Sequence, residues 1–326
     1  MADANTPLRR VILGTGGTIA GRATRAGDNV GYVAGQVSAQ DLIGAVPALE
    51  GLALEVEQVA QIDSKDMGFA VWQRLAERLA HHLAREDVAG VVITHGTDTL
   101  EETAYFLQAV LRPSKPVVLT CAMRPSTALV PDGPQNLLDA VTVAGDPHSR
   151  GVIVVCAGRV HAAEHVTKVH TYQVDAFDSG DAGPLALVEE GLVRWLHRPE
   201  GSQCGGAFDA QRLLRVQQAT SMPRVQWLIS HADADGVQVL ALLAYGAAHP
   251  EAMPQGLVVA GTGNGTLHHA LEAALQQAIA RGVVVRRGSR CARGRVIPGA
   301  AGALADTQGL SPAKARIALA LELMGL

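Results

Sequence analysis

Short apolar runs alternate along the chain with longer segments whose apolar residues recur at helical spacing. Val11–Leu13 reads as a buried strand, and Leu52–Val59 alternates apolar and polar residues as a half-buried strand does. Val71, Leu75, Leu79 and Leu83 recur every fourth residue and predict an amphipathic helix. The strand Val91–Ile93, a helix over Leu100–Leu111, the strand Pro116–Leu119, a helix over Pro134–Val143 and the strand Val152–Val155 follow. Such alternation predicts parallel βαβ units. Between them, Asp41–Val46 suits a short helix. Gly21–Gly35 shows no period and reads as a mobile loop that could close over a strand mouth.

The pattern changes from Arg159 to His197, where turns are short and residues alternate. Leu185–Trp195 predicts a hairpin turning at Gly191, and hence an antiparallel extension on the edge of the first sheet. A second, smaller α/β set begins at Val225–Ile229. It continues through the strand Leu257–Ala260, a helix over Leu267–Arg281, the strand Val283–Val285 and a closing helix from Ser311-Pro312. The expected fold class is therefore α/β: a large N-terminal domain with a mainly parallel sheet flanked by helices plus an antiparallel hairpin, then a smaller C-terminal α/β domain. A chain of 326 residues exceeds what one core grows to efficiently. The boundaries read as 1–200 for the catalytic domain, 201–223 for a linker and 224–326 for the second domain.

A net charge of -4 gives no electrostatic reason to expect nucleic acid or a membrane surface as partner. Cys121, Cys156, Cys204 and Cys291 form no CxxC pair, so neither a metal site nor a redox motif is signalled. Cys121 and Cys156 lie in apolar runs and read as buried small hydrophobes. No apolar run reaches the ~20 residues of a membrane span, and Met1–Arg10 lacks the apolar core of a signal peptide. The expected compartment is the cytoplasm for the chain as it stands, or the periplasm if a leader has been removed.

The polar clusters share a position: Thr15/Thr18, Thr97/Asp98, Arg124/Ser126 and Asn264 each follow the carboxyl end of a predicted strand, the edge at which open α/β sheets bind ligands. The stretch Gly14-Thr15-Gly16-Gly17-Thr18 combines sharp glycine turns with two hydroxyls. On its own it describes a tight βα turn equally well. Gly14-Thr15-Gly16 and Gly261-Thr262-Gly263 both lack the third glycine of a dinucleotide fingerprint, and neither a P-loop nor a GxSxG elbow is present. A threonine nucleophile remains. It needs a base or a relay to one, and glycine-turn N–H groups can stabilise the developing oxyanion.

Gly14–Gly21, Thr94–Ala104 and Ala122–Ser126 with Asp132-Gly133-Pro134 resemble the bacterial L-asparaginases, and the resemblance continues through Gly263-Asn264-Gly265 to Arg316. It lies closer to the high-affinity, usually exported type II branch. The resemblance implies hydrolysis of L-asparagine to L-aspartate and ammonia through a covalent acyl-enzyme, with no metal or cofactor and with L-glutamine as a candidate second substrate. It implies Thr18 as nucleophile, Tyr32 of the lid assisting it, and Thr97, Asp98 and Lys168 as a second triad. Asp98 would also grip the substrate ammonium and Ser64 its α-carboxylate. Gly17, Lys65, Thr97 and Ala122 would line the substrate site, and Asn264 would be contributed across a subunit interface of a homotetramer of tight dimers. Without the resemblance, Lys168 reads as a solvated surface lysine, Tyr32 as packing, and Thr97-Asp98 as a helix N-cap.

Two positions depart from the family pattern. Lys65 stands where glutamine is common, and a cation there could hold the substrate carboxylate more strongly or alter discrimination between amides. Between Cys291 and Gln308 no acidic residue precedes Asp306, where the family often places a glutamate near the partner's tyrosine. The alternatives are a dual-specificity glutaminase-asparaginase and a catalytically silent amino acid binding protein on the same fold. Retention of Thr18, Thr97, Asp98 and Lys168 argues against the latter.

Overall fold

The computed structural model describes residues 8–25, 27–197, 208–297 and 304–326. The chain forms two compact units, Met1–Gln217 and Gln218–Leu326.

In the first unit β1 (Arg9–Gly16) is followed by the two-residue strands β2 (Arg22–Ala23) and β3 (Tyr32–Val33), then α1 (Ala39–Gly44), β4 (Leu54–Ile62), α2 (Phe69–Leu83), β5 (Val88–Thr94) and α3 (Leu100–Leu111). Next come β6 (Val117–Thr120), α4 (Gly133–Ala144), β7 (Val152–Cys156), β8 (Arg159–Ala162), β9 (Thr167–Lys168), β10 (Phe177–Asp178), β11 (Ala186–Glu189), β12 (Leu192–Trp195) and α5 (Ala210–Gln218). The main sheet runs β12-β11-β8-β7-β6-β5-β1-β4. Pairing is parallel from β4 to β7 and antiparallel from β7 to β12. The predicted edge extension is therefore present, and its hairpin turns through Glu190 and Gly191, both at positive φ, the geometry that two-residue hairpins favour.

The central strands are apolar on both faces because helices cover both. On one side Ile12, Val92, Val118 and Ile153 pack with Leu42 of α1 and Leu137, Ala140 and Val141 of α4. Residues of the other parity, Val11, Leu13, Val91 and Ile93, are also fully buried, and α2 packs on β4 and β5 and α3 on β7 there. The buried face of α2 is Trp72, Leu75, Ala76, Leu79 and His82, so the predicted stripe has its centre right, while Val71 and Leu83 lie at its margins. Trp72 turns inward to stack on Phe106 of α3 at 4.7 Å.

The second unit holds β13 (Val225–Ile229), α6 (Val237–Ala248), β14 (Gly256–Gly261), α7 (His269–Ala280), β15 (Val284–Ser289) and α8 (Pro312–Leu323). Its sheet β13-β14-β15 is wholly parallel. The helix α6 has no counterpart in the sequence reading. Its residues are almost all apolar, so no polar phase marks its face. The stretch read as a linker contains α5 in its described part. Cys204 and residues 201–207 lie outside the described residues. Cys121 and Cys156 are buried free thiols with sulfurs 3.9 Å apart, and Cys291 is an exposed free thiol. Among the described residues no helix is long and apolar enough to cross a membrane.

Candidate active site

At the carboxyl edge of the first sheet, β1, β4, β5 and β6 end at Gly16, Ile62, Thr94 and Thr120. The strands after β1 fall on both of its sides, β4 on one and β5 on the other. The crevice outside such a switch point is where ligands bind in open α/β sheets.

β1 leaves the sheet through Gly16 (φ +103°) and Gly17 (φ +80°, ψ -171°), a conformation open to glycine. The Gly17 N–H donates to the Ile62 carbonyl at 2.9 Å. A Cβ on Gly17 would overlap the Cα and N of Gly96, so the Gly17-Thr18 and Gly96-Thr97 backbones pack directly on each other. Gly17→Ala is expected to cost roughly 3 kcal/mol or more and to displace Thr18. Urea midpoints and ammonia release measured on one preparation check both effects.

Of the two hydroxyls in the glycine stretch, Thr15 is structural: its Oγ1 donates to the Thr94 carbonyl at 2.9 Å and stitches β1 to β5. Thr18 opens a short 3-10 turn, is 7% exposed, and its Oγ1 lies 2.7 Å from the Tyr32 hydroxyl. Tyr32 arrives on β3, which pairs with β2, so the loop read as lacking regular structure has a small antiparallel stem. Its ring lies over Gly21, where a Cβ would meet ring carbon Cδ2 at 2.8 Å. The Gly21 carbonyl accepts from both the N–H (3.1 Å) and the hydroxyl (2.9 Å) of Ser126.

Across the glycine contact lies a second polar group. Lys168 Nζ donates to Thr97 Oγ1 at 2.8 Å and to Asp98 Oδ1 at 2.7 Å. The separation of Thr97 Oγ1 from Asp98 Oδ1 is 3.5 Å. Thr97 thus accepts from the ammonium while its own O–H donates to Asp98 Oδ1, linking the three groups in one chain. The Asp98 side chain is 53% exposed, with one oxygen held by Lys168 and the other open to an ammonium. Lys168 reaches this position because β9 pairs with β10 and because its backbone N–H donates to Glu101 Oε2 at 3.1 Å.

His95 braces the loop from below. Its Nδ1–H donates to the Gly96 carbonyl at 2.7 Å, and its Nε2 accepts from the Thr103 hydroxyl at 2.9 Å. Thr103 in turn accepts the Trp72 indole N–H at 2.9 Å. Burial lowers the His95 pKa to about 4, so the ring is neutral and its tautomer is fixed by these partners.

Ser64 is buried beside Gly96. Its Oγ accepts the Asp98 N–H at 3.2 Å, which leaves the hydroxyl proton for another acceptor. Lys65, expected near a substrate carboxylate, is 61% exposed and has its Nζ held by Asp63 (2.7 Å) and Asp66 (3.2 Å). Hydrogen bonds to Asp63 and then Asp66 raise its pKa. Ala122 is buried between Cys121 and Met123. Its neighbours are anchored by Asp132, which accepts the Met123 and Arg124 N–H groups at 2.9 Å each, and by Asn136, whose Nδ2 donates to the Cys121 carbonyl at 2.9 Å. Asp132 occupies the N-cap position of α4 but makes no capping bond with its side chain. Asn264 belongs to the second unit, where its side chain exchanges hydrogen bonds with the backbone of Ile297 at 3.2 and 2.7 Å.

The structure thus brings Gly17, Thr18, Tyr32, Ser64, Thr97, Asp98 and Lys168 to one edge. Of the bracing residues, His95, Glu101 and Asp132 lie in motifs that carry the resemblance but had no role assigned to them, and Asn136 was not singled out by the sequence.

Comparisons with known proteins agree across the chain. The family model described as Asparaginase, N-terminal, matches residues 10–201, and that described as Glutaminase/Asparaginase C-terminal domain matches residues 224–324. The protein named L-asparaginase 2 of Bacillus subtilis is 36% identical over 318 residues, covering 96% of this chain and 81% of its own length. The glutaminase-asparaginase of Pseudomonas fluorescens is 37% identical over 283 residues, covering 86% of this chain and 74% of its own. Among solved structures, the probable cytoplasmic L-asparaginase of Campylobacter jejuni matches with a TM-score of 0.88 and 39% identity, over 98% of this chain and 96% of that one.

Proposed function

The chain belongs to the asparaginase family, and from that premise we infer that it is an L-asparaginase that converts L-asparagine and water to L-aspartate and ammonia. Thr18 is the nucleophile in this reading. Its Oγ1 attacks the side-chain carboxamide carbon, its proton passes by way of Tyr32, and the departing nitrogen takes up a proton and leaves as ammonia. A water molecule then cleaves the threonyl ester and frees Oγ1. The observation that carries the reading is the backbone contact between Gly17-Thr18 and Gly96-Thr97. It supports the reading because one of the two packed turns carries a hydroxyl bonded to a phenol and the other a hydroxyl bonded to an ammonium.

The remaining groups suit an amino acid substrate, which carries both charges. Asp98 receives the α-ammonium with its open oxygen. Ser64 donates its hydroxyl to the α-carboxylate, and the Gly17 turn and the Ala122 backbone line the cleft. Lys168 keeps Thr97 and Asp98 in register and holds the proton that the Thr97 hydroxyl relays. The same reading expects a homotetramer of tight dimers in which Asn264 of one subunit completes the site of another, an arrangement that sedimentation measurements test.

Ammonia and aspartate released in equal amounts from asparagine test the assignment; binding of asparagine without release overturns it. Measuring glutamine alongside sets the amide preference, since one methylene is worth only ~1–3 kcal/mol in a pocket. Lys65→Gln is expected to raise KM for asparagine by about threefold and to change kcat by less than about twofold, as removal of uniform binding does. Asp63 and Asp66 already absorb much of the Lys65 charge. Steady-state kinetics on both amides checks this.

A further inference from the structure

A groove of about 440 Å³ opens at the end of β1 remote from Thr18, between Ala48 and Leu52, the last turns of α4 and the tip of the β11–β12 hairpin. Its walls are mostly apolar, with Leu52, Leu138, Val141, Leu192 and Val193 contributing, and Arg10 is among the residues that line it. The Arg10 guanidinium rests on Gly145: a Cβ there would overlap its Nη2, Nε and Cζ. The φ of Gly145 is -98°, which any residue adopts, so what the glycine supplies is room for the cation.

Among the described residues the Arg10 guanidinium has no hydrogen-bond or ion-pair partner. Its Nε is buried without a hydrogen-bond partner, and among the described residues its side chain enters no ion pair, whereas its neighbour Arg9 pairs with Asp87 at 3.4 Å. Asp146 also lines the groove, but its Oδ1 accepts from the Trp195 indole at 3.1 Å and the His148 N–H at 2.8 Å. A buried donor on a charged group left unsatisfied is rare and costly. The apolar wall is unfinished as well, since Leu192 is 73% exposed.

We propose that this groove binds a small amphipathic carboxylate, its head on the Arg10 guanidinium and its aliphatic tail along Leu52, Leu138, Val141 and Leu192. A guanidinium presents the planar fork that a carboxylate matches, and the volume falls in the range of small-molecule sites. The site is separate from the proposed chemistry: Arg10 stands six residues before Gly16, about 20 Å along an extended strand.

Octanoate titrated calorimetrically into the full chain is expected to bind saturably, one per chain. Acetate and 1-octanol, each offering half of the recognition, should bind about tenfold more weakly or worse. Arg10→Met should weaken octanoate by about tenfold or more, and Arg10→Lys, which keeps the charge but not the fork, should fall between. Asparagine turnover unchanged in both variants reports an intact fold. Equal affinity of octanoate for Arg10→Met and the unaltered chain overturns the proposal, as does 1-octanol binding as tightly as octanoate. A change in sedimentation of Arg10→Met also overturns it, because the groove would then be an interface between copies.

Discussion

Thr18→Ala is expected to lower kcat for asparagine by about 10⁴-fold or more, the scale on which removal of a covalent nucleophile acts. The variant should stay folded. It loses one hydrogen bond, to Tyr32, worth about 1 kcal/mol, and one buried γ-methyl group worth about 0.8 kcal/mol. Any residual rate would come from binding and oxyanion stabilisation alone. Rapid quenching of the unaltered enzyme during turnover, followed by peptide mass mapping, should find the aspartyl ester on the peptide containing Thr18. The same protocol on Thr18→Ala should find none. Near-normal ammonia release by the variant would mean that a different group attacks.

Lys168→Met should reduce kcat by about 10² to 10⁴, the usual contribution of a positioned proton-transfer group. Methionine keeps most of the aliphatic stem, so the loss isolates the ammonium. Two contacts go at once, those to Thr97 Oγ1 at 2.8 Å and Asp98 Oδ1 at 2.7 Å. Stability should change little. The pair with Asp98 is open to solvent on the aspartate side, where such pairs contribute about 0–1 kcal/mol. A rise in KM with kcat preserved would reassign Lys168 to holding Asp98 for ammonium binding, without a part in proton transfer. Comparing kcat with KM, and with the thermal midpoint of the same preparation, separates the three outcomes.

The parts of this site that could be read from the chain are those set by local backbone chemistry. The glycines after Leu13, and Thr97-Asp98 between β5 and α3, announce themselves because turns at strand ends need particular residues. Lys168 has no such signature. It is placed by the short β9–β10 pairing and meets Glu101, Thr97 and Asp98 across 67, 71 and 70 positions, contacts that no local pattern encodes. The resemblance puts Lys65 beside the substrate carboxylate, and the structure adds what no pattern announced, two aspartates of its own turn that hold its ammonium. In the fold, the edge hairpin was legible from Glu190-Gly191. Helix α6 was not, since Val237–Ala248 carries almost no polar residue to set a phase. The resemblance supplied Tyr32, which composition would have left as packing.

The back-to-back seating of Gly17 and Gly96 bears on how this scaffold can be re-engineered. A side chain on Gly17 would run into the Gly96 backbone and one on Gly96 into Ser64, so the innermost ring of the cleft offers almost no freedom for single-site redesign. Diversity intended to retune amide preference belongs in the outer ring, at Lys65 with its two aspartates and on the β2–β3 stem that carries Tyr32. A library that randomised the glycines would mostly return misfolded chains.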